Sequence, residues 1–158
     1  MHAGENTLNA LCARMVTRSI AANGGYNKDK ALADYVSFMT TPGSHNDTYA
    51  ESFHRDFFAN YARGIPPANC ARGTEGHNTA AVGGLVMLPP VVLASLLAGQ
   101  DTRGAARTGL AHLQLTHDSP KLNGYAEIYM TLLADLALGA EPKVRRCCTQ
   151  CLFAPTCL

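Results

Sequence analysis

The chain has 158 residues, of which 47% are hydrophobic and 7% aromatic, with no Trp and a net charge of +1. That length suits one domain with a real core, and the near-zero charge excludes electrostatic capture of nucleic acid or of an anionic membrane. No apolar run approaches the ~18 residues of a membrane span, and Glu5, Asn6 and Asn9 stand where a signal peptide needs an apolar core, so the expected location is the cytoplasm.

Thr7 to Asn23 reads as an amphipathic helix, because Leu8, Leu11, Cys12, Met15, Val16 and Ile20 recur at steps of three and four. Gly24-Gly25 stops it. Asn27-Lys28-Asp29 opens a second helix, with Leu32, Tyr35, Val36 and Met39 on one face, and Thr41-Pro42-Gly43 breaks it. The polar loop Gly43 to Thr48 follows. Asp47 or Thr48 is the expected cap of a third helix carrying Tyr49, Phe53, Phe57, Phe58 and Tyr61, with Glu51 as the capping-box partner of Thr48. Pro66-Pro67 reads as an extended connector.

A glycine-rich turn from Gly73 to Asn78 and a run of small residues come next. Leu85 to Leu97 is apolar enough for a buried helix, with Pro89-Pro90 in its first turn. Asp101 caps a helix that reaches Thr116, with Ala106, Leu110, Leu113 and Ala111 as inward candidates. Ser119-Pro120 opens the last long helix. Its expected apolar face is Leu122, Ile128, Leu132, Leu133, Leu136 and Leu138, and Gly139 and Pro142 end it. No segment reads as a strand, so the fold class is all-α.

Residues 1–141 form the folded unit in this reading, and 142–158 a divergent, Cys-rich tail. Four of the six cysteines, Cys147, Cys148, Cys151 and Cys157, fall in that tail. Their spacer is too short for paired zinc knuckles, so an oxidisable, solvated tail is the simpler reading. His112 and His117 are five apart and do not share a helical face; His112 is expected to be exposed. His117 ends a helix beside Asp118, where it either reaches a pocket or complements the helix dipole. His77-Asn78 is the most suggestive polar pair, because an amide can read a ribose hydroxyl and a glycine turn can hold phosphate. No Ser-His-Asp set or general acid/base carboxylate pair is visible.

Taken in order, these landmarks resemble the ADP-ribosylglycohydrolase family, nearest to its selenoprotein J and jellyfish J-type crystallin branch. Gly4-Glu5-Asn6-Thr7 stands where the family has a metal-binding Thr-Asp-Asp-Thr motif. The resemblance therefore implies a metal role for Glu5, Asn6 and Thr7. Gly43-Ser44-His45-Asn46-Asp47-Thr48 is similar to the glycine-rich loop that wraps phosphates, and His77-Asn78 to the motif on the ribose side. Leu115-Thr116-His117 matches the family's Leu-Thr-His motif near adenosine. Ser44, His45, Asn46, Asn78 and His117 are thus the implied ligand-binding residues. ADP-ribose or an ADP-ribosylated protein is the implied partner, magnesium the implied cofactor, and part of a multi-helix orthogonal bundle the implied fold. Two of the family's acidic motifs have no counterpart here. Hydrolysis is therefore expected to be weak or absent, with a crystallin-like structural role as the alternative. A shortened helical fold also leaves apolar faces open, so self-association is expected.

Overall fold

The computed structural model describes residues 3–45, 49–74, 76 and 80–141. Those residues form α1 (Leu8–Ala22), α2 (Lys28–Thr40), α3 (Ser52–Ala62), α4 (Leu88–Leu97), α5 (Thr102–Leu113) and α6 (Pro120–Ala137). Short 3₁₀ helices lie at Pro67–Asn69 and Val82–Met87. The all-α class holds among the described residues.

Four helices start where their caps direct. Thr7, Asn27, Asp101 and Ser119 each accept a hydrogen bond from a first-turn backbone N–H, those of Ala10, Lys30, Gly104 and Leu122. α3 differs from expectation. It begins at Ser52, with Glu51 at the cap position and no side-chain cap. Glu51 accepts instead from the Asn9 amide of α1 at 3.1 Å, so a tertiary partner displaces the local cap. The Arg55 guanidinium closes that helix end by donating to the Ala50 carbonyl at 2.6 Å. Tyr49 consequently lies outside the helix and is exposed. Pro67 opens a 3₁₀ turn, where an extended connector was expected.

The core has two parts. Leu8, Cys12, Val16, Tyr35, Phe53 and Phe57 gather α1, α2 and α3 around Met87 and Val91. Leu88, Val92, Ala106, Leu113, Leu122 and Met130 gather α4, α5 and α6. α4 supplies both clusters, with Val91 on one side and Val92 on the other. Its Pro89 and Pro90 sit in the first turn as expected, where missing N–H groups break no helix bond. Leu93 is partly uncovered and Leu97 is 90% exposed, so only part of this helix is buried.

The last helix buries only part of the face its leucines suggest. Leu122, Ala126, Met130, Ala134 and Asp135 are buried, whereas Leu136 and Leu138 are exposed. The reason lies across the interface. Gly109 of α5 leaves the space that the Met130 side chain fills, and small residues on both helices let their axes approach.

Candidate functional site

The start of α1 and the loop after α2 face each other across a groove of about 320 Å³. Thr7 caps α1, so Glu5 and Asn6 stand immediately ahead of the helix at one edge of the groove. On the other side Gly43 has a φ of 79°, which a residue with a Cβ rarely adopts. It turns the chain so that Ser44 Oγ donates back to the Phe38 carbonyl of α2. Ser44 and His45 thereby line the groove with Glu5 and Asn6. The His45 ring lies beside Phe38, with centroids 5.8 Å apart. Its Nδ1 is buried without a hydrogen-bond partner among the described residues.

The fold thus brings together two sets that the sequence separates, Glu5 and Asn6 with Ser44 and His45. Thr7 is committed to the cap and does not line the groove. Asn46 and Asn78 lie outside the described residues, as do His77, Asp47, Thr48 and the segment 142–158. Asp118 anchors the glycine-rich turn by accepting from the Gly73 N–H at 2.8 Å.

His117 is elsewhere. It is 0% exposed, and its ring lies under Gly84 and against Phe53, with centroids 3.9 Å apart. Its Nδ1 shares a 2.8 Å hydrogen bond with Thr116 Oγ1. Burial, reinforced by neighbouring His54, lowers its pKa to about 3. A neutral ring cannot act as a cationic partner of the helix dipole. His54 is buried likewise and shares a 2.7 Å hydrogen bond with the Tyr35 hydroxyl; burial first, then His45, lowers its pKa to about 4. His112, expected at the surface, is only 6% exposed and meets the Tyr26 hydroxyl at 3.1 Å. Burial lowers it to about 4 as well. The Nε2 atoms of His54 and His117 have no hydrogen-bond partner among the described residues.

Two polar residues take places that the sequence does not announce. Glu51 is tied to Asn9, and its second carboxylate oxygen packs against Gly83, where a Cβ would overlap it. Burial first, and then this carboxylate, push the Cys12 thiol up to about 12, which makes Cys12 an inert core residue. Arg14 lines the groove beside Leu11. The sequence marks Glu51 only as a local capping partner and Arg14 not at all, since each acquires its place through contacts of α1 with distant segments.

The groove's described carboxylate is Glu5. Among the described residues no group of three or more His, Cys, Asp or Glu side chains gathers to hold a metal ion. A two-magnesium centre needs several convergent oxygen donors, so the described residues do not by themselves fit one.

The described residues form an all-α fold with a polar groove between a helix start and a glycine-turned loop. The family model for ADP-ribosylglycohydrolase matches residues 1–152, and the chain belongs to that family. Membership carries the family's substrate class, ADP-ribosylated molecules, and its typical use of metal ions. No curated protein and no solved structure matches the chain. No helix among the described residues is long and apolar enough to cross a membrane.

Proposed function

We propose that the groove between the start of α1 and the loop after α2 binds ADP-ribose or the ADP-ribosyl group of a modified protein, and that hydrolysis of the ribosyl bond is weak or absent. The observation that carries the reading is the convergence of Glu5 and Asn6 with Ser44 and His45 on one groove. These are the residues whose motifs resemble the family's acidic and phosphate-wrapping motifs. Weak hydrolysis follows from the donor set. Asn6 offers a neutral amide where the family motif has a second acid, which leaves Glu5 as the carboxylate of that motif for magnesium.

A thermal melt in magnesium buffer, with and without ADP-ribose, tests this. A ligand that binds only the folded chain at about one hundred times its Kd adds roughly 2.7 kcal/mol. For a domain of this size that raises the midpoint by about 5 to 10 °C. The shift should shrink in EDTA if Glu5 still helps to hold magnesium. A cooperative melt with no shift would sink the binding proposal. It would favour the second reading, a crystallin-like structural protein, which rests on the likeness of the Ser44 to Thr48 loop to that branch of the family.

A further inference from the structure

The groove does not end at Ser44. A second groove of about 440 Å³ adjoins it, and the two share Leu11, Arg14 and Ser44. Arg14 therefore stands at their junction. Its guanidinium makes no ion pair or hydrogen bond among the described residues, and its neighbours on α1, Leu11 and Met15, are buried. The inner groove holds Glu5 and Asn6, which suit hydroxyl groups. The outer groove holds Phe38 and Asp34 of α2. Phe38 is a partly buried aromatic ring that can stack on a base, and Asp34 is an acceptor for its exocyclic amine.

We infer that Arg14 is the counter-charge for the diphosphate of a ligand that spans both grooves, with a sugar at Glu5 and Asn6 and a nucleoside toward Phe38. The inference rests on the ADP-ribose reading above and adds to it the placement of the charge. A diphosphate lies in the middle of such a ligand, and the junction lies in the middle of the paired grooves. A guanidinium offers two parallel N–H donors to phosphate oxygens, and this pairing is stronger than one between neutral groups.

Titration calorimetry on wild type, Arg14→Gln and Arg14→Lys, with ADP-ribose, inorganic pyrophosphate and adenosine in turn, tests it. Arg14 is exposed and α1 keeps its buried face, so both variants should melt at the wild-type midpoint. R14Q should weaken ADP-ribose and pyrophosphate at least tenfold and leave adenosine unchanged, and R14K should recover part of the loss. Equal ADP-ribose affinity in R14Q and wild type would overturn the inference while leaving ADP-ribose binding intact. Equal weakening of adenosine would overturn it too, since the residue would then be shaping the groove and not reading charge. If wild type binds no ADP-ribose, the proposed function fails by itself. In that case pyrophosphate binding lost in R14Q still supports Arg14 as a diphosphate anchor, and its absence from wild type overturns that as well.

Discussion

Acid should unfold this protein between about pH 4 and 5.5, and the transition should be steep. His54, His112 and His117 are buried and neutral, with pKa values lowered to about 4, 4 and 3. In the unfolded chain each returns to about 6.5. The unfolded state therefore binds more protons as soon as the pH drops below that value, and stability falls with it. The contribution is fully present above pH 6.5, declines through the window down to the folded pKa values, and has no further slope below them. Each extra proton is worth roughly 1.4 kcal/mol per pH unit, so three give about 4 kcal/mol per unit. Set against a total stability of about 5 to 15 kcal/mol, two units suffice for a domain of middling stability. Circular dichroism at 222 nm across a pH series measures it. His112→Gln removes one of the three protons while keeping a polar partner for Tyr26. Its acid midpoint should move to lower pH and its slope should fall by about a third. An unchanged profile would mean that His112 is solvated in solution.

The second large effect belongs to Gly84. A Cβ added there would meet the His117 ring carbon and nitrogen at 2.6 Å and a Leu113 methyl at 3.0 Å. The ring cannot retreat, because it lies against Phe53 and is fully buried. Gly84→Ala should cost about 2 to 3 kcal/mol, the upper part of the range for overpacked cores. Gly124 on α6 is the internal contrast. Nothing lies within 4 Å of its added Cβ, so Gly124→Ala should stabilise by roughly 0.4 to 1 kcal/mol through the lower entropy of the unfolded chain. Urea midpoints of the two variants, at equal m, should therefore move in opposite directions. A G84A midpoint within error of wild type would show that the 3₁₀ segment Val82–Met87 shifts freely over His117.

Helix starts were legible because a cap is a local matter. Thr7, Asn27, Asp101 and Ser119 each reach a backbone N–H within their own first turn. Glu5 and Asn6 on one side and Ser44 and His45 on the other were legible only as separate candidates through an ordered resemblance; that they line one groove depends on how α1 meets the turn after α2, which no spacing announces. What failed depended on partners far along the chain. Glu51 abandons its local cap for Asn9. His112 lies under Tyr26, which no spacing around His112 announces. The buried face of α6 keeps Leu122 but is centred on Met130 by the space at Gly109, which leaves Leu136 and Leu138 outside. Periodicity reports which positions can be buried, and the facing helix decides which of them are.

The sharing of α4 between two clusters also orders the assembly of the chain. α4, α5 and α6 are consecutive, and their contacts close over short connections. α1 must instead find α4 and the Val82–Met87 turn across more than half of the first hundred residues. Loop closure is cheapest for neighbours in sequence, so the C-terminal trio forms first and presents Met87 and Val91 as the landing surface for α1. Val92→Ala, inside the trio, should then slow refolding, and Val16→Ala, on α1, should chiefly speed unfolding. The reverse pattern in stopped-flow kinetics would place the nucleus in the N-terminal half. On the expected route the seating of α1 on Met87 and Val91, which joins the two clusters through α4, is the last step of assembly.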